Sequence, residues 1–338
     1  MRIAVLDVGS NSAHLKIVDL VAGEPPLPVR TIKRPTRLAE AIDRQGAIGI
    51  EAIDRLAEVI AEAAATADAH QVDKLVAFAT SAVRDAANRD EIVARIRAAS
   101  GVDLGFISGA DEARLTFLAA RRWHGWSAGQ MLLLDIGGGS LEIAAGDGSE
   151  PRVALSAPLG AGRLTREHLP GDPPRGKHVR RLRGYVSETL DEIAGDLGDQ
   201  PSPVRAVGTS KTFAQLARMT GAPKAKAGVY ALRRLERARL HDWIPRLASM
   251  DAARRAKLRG VSKPRARQIL AGAIVAEAAM RALGLEHLDI CPWALREGIL
   301  LCELDALGGS SLTCDVIVHS GGPRAGRVRL HTVADVGT

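Results

Sequence analysis

The amino-acid sequence predicts an α/β fold with two domains of like design. Strand and helix patterns alternate along its 338 residues, a length that suffices for two hydrophobic cores. The pattern D-[VI]-G-x-x-S occurs twice, at 7–12 and at 135–140, each time between two apolar strands. We therefore expect one domain over 1–126 and another over 127–307, followed by a tail of unknown role at 308–338.

Apolar periodicity places the elements of the first half. Apolar residues fill 3–8 and 13–21 on both sides of a tight turn and predict a strand hairpin. A helix is expected over 51–69, where apolar residues recur at helical spacing. Further strands are expected at 74–79 and 104–107, and further helices from about 88 and over 110–123.

The second half repeats the hairpin and then becomes mainly helical. Strands at 131–135 and 141–145 match the opening pair. One more strand is expected at 204–207, with helices over 175–197, 209–219, 232–248 and 265–284. Alternating Val316/Val318 and Val328/Leu330 suggest a hairpin in the glycine-rich tail.

Composition excludes several classes of protein. With 46% hydrophobic and 25% charged residues, the chain is neither disordered nor collagen-like. Its longest apolar runs fall far short of the ~20 residues of a membrane span, and Asp7 interrupts the apolar start before a signal peptide can form. The three cysteines lack CxxC spacing, which argues against a disulfide scaffold or a zinc site. We expect a cytoplasmic protein without a membrane segment.

Positive charge is concentrated in one stretch, 224–267, which we name the basic segment. It holds 14 Lys and Arg against three acidic residues, a net charge of +11, whereas the whole chain carries +7. Such a segment can attract a polyanion, but a solvated, arginine-rich helical face explains it equally well. No recognition motif for nucleic acid accompanies it, so we expect no specific nucleic-acid partner.

The two repeated turns have the chemistry of phosphate binding. The first glycine loop is Gly9, Ser10, Asn11 and Ser12, and the second glycine loop is Gly137, Gly138, Gly139 and Ser140. Glycines allow consecutive N–H groups to face an anion, and the Ser and Asn side chains add donors. Asp7 and Asp135 end the preceding strands and are suited to hold Mg²⁺ or its waters; alternatively, each bonds only its own turn.

Two acidic positions are candidate catalytic carboxylates. Ser108 fits an N-cap with Asp111 at the capping-box position, which puts Glu112 in the first helical turn. Either acid could be a general base for water, or both could simply complement the helix dipole. Glu142 shares its side of the strand with Ser140; an exposed strand glutamate is the alternative.

Two further turns are candidate anion sites. Arg84 follows a buried strand and suits bidentate phosphate contact, with a surface ion pair to Asp85 or Asp90 as the alternative. A third strand–glycine–hydroxyl turn opens a helix and is a natural anion site, although it lacks Walker spacing. This turn comprises Gly208, Thr209, Ser210 and Lys211.

Six motifs in this order resemble the exopolyphosphatase/guanosine pentaphosphate phosphatase family, within the actin/sugar-kinase/heat-shock-ATPase superfamily. They are DVGSNS (7–12), TSAVRDA (80–86), ISGADEARL (107–115), DIGGGSLE (135–142), AVGTSKT (206–212) and PWALREGIL (292–300). The resemblance extends over roughly residues 1–306. It implies two ribonuclease-H-like domains with an active-site cleft between them, and a homodimer.

The same resemblance implies roles for the candidate residues. Glu112 matches the catalytic base, which decides between it and Asp111, and Glu142 matches the second catalytic carboxylate. Asp135 matches the residue associated with Mg²⁺, the glycine loops match the two phosphate loops, and Arg84 matches a phosphate-binding arginine. Long members carry additional C-terminal helical domains that do not follow here, so we expect a preference for shorter substrate chains.

We therefore expect a Mg²⁺-dependent exopolyphosphatase that releases terminal orthophosphate from inorganic polyphosphate, with Glu112 activating the attacking water. The main alternative is removal of the 5′ terminal phosphate of pppGpp, although an aromatic content of 3% offers few surfaces for a guanine. A non-catalytic sensor of polyphosphate or alarmone is disfavoured by the intact Glu112 and Glu142. Sugar-kinase activity is disfavoured because the third turn lacks the paired glycines that pack an adenosine.

Overall fold

The chain folds into two compact units. The computed structural model describes residues 1–43, 45–197 and 203–308. One unit comprises 1–111 with the described residues from Arg296 onward, and the other comprises Glu112–Leu295. Each unit contains its own β-sheet and its own hydrophobic core, which confirms the α/β fold class.

The limits of these units differ from those of the expected domains. The structure divides the chain between Asp111 and Glu112 rather than at 126/127, and it returns the chain to the first unit at Arg296. The domain limits expected from the sequence stay a prediction. The hairpin expected in the tail lies outside the described residues.

A five-stranded sheet forms the centre of the first unit. Its strands are β1 (Arg2–Val8), β2 (Ser12–Asp19), β3 (Pro28–Pro35), β4 (Lys74–Ala79) and β5 (Gly105–Phe106). Their order is β3-β2-β1-β4-β5, with β1–β2 and β2–β3 antiparallel and β1–β4 and β4–β5 parallel. The predicted opening hairpin is confirmed, and it places Asp7 directly opposite His14.

Four helices follow the strands of this unit. They are α1 (Leu38–Ala41), α2 (Ile50–Ala69), α3 (Ser81–Arg84) and α4 (Arg89–Ser100). The predicted long helix corresponds to α2, which buries Ile53, Leu56 and Ile60 on one face. Burial of this stripe, rather than propensity alone, stabilises a helix against the sheet.

The second unit repeats the sheet of the first. Its strands are β6 (Met131–Ile136), β7 (Leu141–Gly146), β8 (Val153–Ala157), β9 (Arg205–Thr209), β10 (Arg234–Glu236) and β11 (His287–Ile290), in the order β10-β11-β9-β6-β7-β8. The five strands β8-β7-β6-β9-β11 have the order and directions of β3-β2-β1-β4-β5. The six-residue repeat is therefore the visible part of a duplicated five-stranded topology.

Seven helices follow between α4 and the last described helix, and two of them begin several residues later than predicted. The seven are α5 (Gly109–His124), α6 (Ala161–His168), α7 (Gly176–Leu197), α8 (Ser210–Met219), α9 (Arg237–Ala248), α10 (Ala252–Arg255) and α11 (Ile269–Ala282). The helix expected from 232 starts at Arg237, because Arg234–Glu236 pairs with β11 and buries only Leu235. The helix expected from 265 starts at Ile269, after a single 3₁₀ turn.

Helix α12 (Leu295–Leu307) closes the described chain and packs in the first unit. Its buried Glu297 pairs with Lys16 of β2, and its buried Glu303 pairs with Lys74 of β4 at 2.7 Å between Oε1 and Nζ. These two ion pairs attach α12 to the first sheet. Among the helices described, none combines the length and apolar character needed to cross a membrane.

Candidate functional site

The first glycine loop is a closed turn between β1 and β2. The Gly9 N–H donates to the Ser12 carbonyl at 3.2 Å, and Asn11 Nδ2 donates to Ser10 Oγ at 3.1 Å. The Ser12 hydroxyl lies 2.9 Å from Nε2 of His14. The loop is therefore ordered by its own hydrogen bonds.

The carbonyl side of this loop is bonded by residues 36–39, which we name the first bracing turn. Backbone N–H groups of this turn donate to the carbonyls of Ser10 and Asn11 at 3.1–3.4 Å, and Thr36 Oγ1 donates to the Gly9 carbonyl at 2.9 Å. The Ser10 N–H donates to no group within the described residues. The loop thus has its acceptors satisfied and at least one donor available.

The second glycine loop repeats this arrangement between β6 and β7. The Gly137 N–H donates to the Ser140 carbonyl at 2.9 Å. Residues 160–163, the second bracing turn, donate three backbone N–H bonds to the Gly137 and Gly138 carbonyls at 2.9–3.1 Å. In the part of the chain that the structure describes, the N–H groups of Gly138 and Gly139 donate to nothing. Successive unbonded N–H groups with satisfied carbonyls form an anion site.

Asp135 and Glu142 lie side by side at the edge of the second loop. They are directly opposite residues of the β6–β7 pair, so their side chains share one face of the sheet with Cβ atoms about 5 Å apart. Glu142 is 1% exposed and accepts a hydrogen bond from Ser156 Oγ at 3.0 Å. The alternative of an exposed strand glutamate is therefore wrong.

The third turn lies beside this carboxylate pair. Gly208 and Thr209 belong to β9, and the fully buried Thr209 donates its hydroxyl to Oδ2 of Asp135. Ser210 has a left-handed backbone with φ of 72°, and the exposed Lys211 follows it in α8. Strained backbone of this kind is concentrated at functional sites. The structure thus gives Thr209 the role of orienting Asp135, and phosphate binding by the turn stays a prediction.

Asp7, the counterpart of Asp135, has different surroundings. Its half-buried carboxylate has Oδ2 3.8 Å from Nη1 of Arg296. Burial raises the pKa of Asp7, and the positive charge of Arg296 opposes that rise. A cationic side chain therefore already accompanies the carboxylate expected to hold a metal.

The predicted N-cap of α5 is confirmed. Ser108 Oγ accepts the Asp111 N–H at 3.1 Å and donates to Asp111 Oδ2 at 2.6 Å, so the Asp111 carboxylate is engaged in the cap. Glu112 follows in the first turn of the helix and is half-buried.

Arg84 is fixed by bonds within its own unit. Its Nε lies 3.0 Å from Asp85 Oδ1, the ion pair weighed as the alternative, and its Nη1 donates to the Ile107 carbonyl at 2.9 Å. The second bond ties α3 to the residue that precedes Ser108. Contact of Arg84 with phosphate stays a prediction.

The structure adds Arg265, which sequence reasoning left in the basic segment. Arg265 Nη1 lies 3.4 Å from Thr212 Oγ1, and the side chain lines a narrow crevice with Ala161 of the second bracing turn. Burial lowers the pKa of Arg265 and the charge of Asp135 raises it, which places a cation close to that carboxylate. The sequence signal was a basic residue just before the apolar run of α11.

Several arginines of the basic segment make contacts within the fold. Arg234 pairs with Asp289 and Arg237 with Glu286 at 2.9 and 2.8 Å, and Arg239 pairs with Glu236. Arg255 is 1% exposed and donates its Nε to a backbone carbonyl at 2.9 Å. These contacts reduce the charge that is available to a polyanion.

The carboxylates of this site suit a metal ion held by one or two protein ligands better than an ion held by three or more. Within the described ranges, no group of three or more His, Cys, Asp or Glu side chains is placed to hold a metal ion. Magnesium is usually held by only one or two carboxylates together with substrate phosphates and water. The pair of Asp135 and Glu142 fits that requirement.

Comparison with known proteins gives consistent results. The model of the Ppx/GppA phosphatase family matches residues 16–307. Exopolyphosphatase 1 of Mycobacterium tuberculosis is 50% identical over 321 residues, which cover 95% of this chain and 93% of that protein. Exopolyphosphatase 1 of Mycobacterium leprae is 51% identical over 306 residues, which cover 90% of each.

Solved structures share the whole fold. A crystal structure of an exopolyphosphatase from Cytophaga hutchinsonii has a TM-score of 0.80 and 27% sequence identity. The alignment covers 90% of this chain and 98% of that chain. The two-sheet topology is therefore that of a known two-domain fold of the actin-like type.

Proposed function

This chain belongs to the Ppx/GppA phosphatase family, and from this premise we propose that it is an exopolyphosphatase. It hydrolyses the terminal phosphoanhydride bond of inorganic polyphosphate and releases orthophosphate. The observation that carries the proposal is the second glycine loop, whose carbonyls are bonded while the N–H groups of Gly138 and Gly139 are available for phosphate oxygens. That loop lies beside two carboxylates, which suits hydrolysis and not binding alone.

In this proposal Glu112 is the general base. A water oxygen attacks the terminal phosphorus, its proton passes to Glu112, and the bond to the bridging oxygen breaks, so that the shortened chain carries the leaving negative charge. The engagement of Asp111 in the helix cap supports Glu112 as the base. N–H groups of the second glycine loop stabilise the charge that spreads over the oxygens of the transferring phosphoryl group.

We assign the divalent ion to Asp135 and Glu142, and we propose that it is Mg²⁺. A divalent metal suits a phosphatase of this family, and the adjacent carboxylates supply the oxygen ligands that Mg²⁺ prefers. When bound, the ion would neutralise part of the phosphate charge. Thr209 orients Asp135 through its hydroxyl, and Asp7 stays a second predicted ligand.

The first test is orthophosphate release by the purified protein with Mg²⁺ from short polyphosphate, long polyphosphate and pppGpp side by side. Glu112→Gln should lower the kcat for polyphosphate by about 10³-fold, because a positioned general base contributes on that order. The matched control, Asp111→Asn, alters the neighbouring acid and should stay within about 10-fold of the wild type.

The substrate panel separates the alternatives. Release from pppGpp alone would make the chain a pppGpp phosphohydrolase. Tight polyphosphate binding without release would leave a sensor. Equal losses in the Glu112 and Asp111 variants would reject Glu112 as the base.

Assembly and location belong to the same proposal. The family resemblance supports a homodimer, and the cysteine pattern supports a cytoplasmic protein. Light scattering on a sizing column tests the first point, since a monomer at micromolar concentration would reject it. Fractionation of the source cells tests the second.

A further inference from the structure

We propose that Thr36 and Gly160 are positioning residues for the substrate. Thr36 donates to a carbonyl of the first loop, and Gly160 lets residues 161–163 approach the carbonyls of the second, so that each loop presents its N–H groups to phosphate. The inference rests on the proposed function, because it takes the loops to be the phosphate-binding elements. It assigns a role to two residues that never touch the reacting atoms.

The two bracing turns occupy the same place in the duplicated topology. Residues 36–39 follow β3, and residues 160–163 follow β8, the corresponding third strand of each sheet. Both turns open a helix, and both direct their N–H groups at loop carbonyls. Two independent copies of one arrangement indicate a requirement of the loop rather than an accident of packing.

Gly160 is required by contact and not by backbone conformation. Its φ of −72° and ψ of 143° are open to every residue type. A Cβ atom there would lie 2.2 Å from the carbonyl carbon of Gly139 and 2.3 Å from the Ser140 nitrogen. Both atoms belong to the backbone of the second loop. Any side chain would therefore push that loop away by about 1 Å.

Thr36 has the corresponding task through its side chain. It is 6% exposed, and its hydroxyl donates to the Gly9 carbonyl at 2.9 Å. The next residue, Arg37, has a left-handed φ of 51° and donates its N–H to the Asn11 carbonyl. The Gly9 carbonyl is therefore bonded by a hydroxyl, whereas the carbonyl of its counterpart Gly137 is bonded by the Ala161 N–H.

The physical consequence is an oriented set of peptide dipoles. A peptide whose carbonyl is fixed from behind must point its N–H forward, and bonding at the carbonyl strengthens the N–H as a donor. Preorganised donors of this kind need no rearrangement when phosphate charge develops. The bracing turns thus set both affinity and rate without contacting substrate.

The test for the second loop compares Gly160→Ala with Gly184→Ala. Gly184 lies in α7, and a Cβ there would meet nothing within 4 Å. A displacement of about 1 Å in a phosphate site should lower kcat/KM for polyphosphate by about 100-fold in Gly160→Ala. Gly184→Ala should keep wild-type kinetics and melt at the same or a slightly higher temperature.

The test for the first loop compares Thr36→Val with Thr36→Ser. Valine keeps the shape and removes the donor to Gly9, so we expect a roughly 10-fold loss in kcat/KM. Serine restores the hydroxyl and should recover most of that loss. If Thr36 had only a structural role, Thr36→Val would melt at a lower temperature and Thr36→Ser would not restore activity.

Calorimetric titration with pyrophosphate separates this inference from the proposed function. Wild-type binding that weakens about 10-fold or more in Gly160→Ala would support the bracing role even if no substrate were hydrolysed. Unchanged pyrophosphate affinity in both Gly160→Ala and Thr36→Val would overturn it, as would a wild type that binds no pyrophosphate. If Gly160→Ala does not fold, the Thr36 pair alone decides.

Discussion

The two glycine loops share a supporting structure and differ in chemistry. Each turn closes on itself, and each rests on a helical turn that follows the third strand. The residue opposite the strand aspartate differs: His14 lies opposite Asp7, whereas Glu142 lies opposite Asp135. Both units therefore have the loop that we propose binds phosphate, and the hairpin of the second unit also pairs two carboxylates.

The neighbours of the two aspartates extend this difference. Asp135 Oδ2 accepts a hydrogen bond from the Thr209 hydroxyl. Asp7 faces the guanidinium of Arg296 at 3.8 Å. Arg265 also places a cation near Asp135, so what distinguishes Asp135 from Asp7 is the Thr209 hydroxyl and the paired Glu142. We therefore expect the second loop to be the more sensitive to substitution.

The largest loss of activity should come from substitution of Glu142, the residue opposite Asp135. Glu142→Gln removes one of the paired carboxylates while keeping its shape, so we expect kcat to fall by about 10³-fold, or about 4 kcal/mol of barrier. His14→Gln at the matching position of the first hairpin should cost no more than about 10-fold. Steady-state orthophosphate release at saturating Mg²⁺ measures both. Similar losses in the two variants would show that the hairpins share the chemistry.

The stability of the first unit should decrease most when the Lys74–Glu303 ion pair is lost. The pair is largely buried, so Glu303→Ala leaves an uncompensated charge and should lower the free energy of unfolding by about 3 kcal/mol. The double variant Lys74→Met with Glu303→Leu should recover most of that loss. Urea unfolding measures both, and a Glu303→Ala protein as stable as the wild type would show that this ion pair does not hold α12 on the first sheet.

A smaller effect is expected at Thr209. Thr209→Val removes the hydroxyl that orients Asp135 and keeps the packing of this buried residue, so kcat/KM should fall by about 10-fold, near 1.4 kcal/mol. The apparent affinity for Mg²⁺ should fall with it, which a metal titration of activity detects. Thr209→Ser is the control that restores the donor, and it should return both values toward those of the wild type.

The smallest effect concerns pH. Burial lowers the pKa of His124 and of His168, both in the second unit. The unfolded chain therefore binds more protons than the folded chain below the ordinary histidine pKa of about 6.5, so stability should decrease as pH falls from about 7 to 5.5.

The slope of this pH dependence measures the contribution of each histidine. Each should add less than about 1.4 kcal/mol per pH unit, the limit for one proton. Urea midpoints at several pH values should vary less in a His124→Gln/His168→Gln variant. A variant with the slope of the wild type would place the acid sensitivity elsewhere.

Local sequence chemistry was a reliable guide where one segment suffices to form the structure. The N-cap at Ser108 and the apolar face of α2 need only neighbouring residues, and both are confirmed. The helix expected from 232 was wrong at its start, because pairing of Arg234–Glu236 with β11 outweighs helical preference. Strand partners distant in sequence leave no local signal.

What the sequence by itself determined was the duplicated strand–loop–strand unit, its glycines and its acidic positions, because turns and alternating strands are encoded by adjacent residues. Only the tertiary structure decided that Glu142 is buried beside Asp135, that Thr209 orients that aspartate, and that Gly160 must lack a side chain. These features depend on contacts between segments up to 74 residues apart. Such contacts are set by sheet register and close packing, which no single stretch of sequence contains.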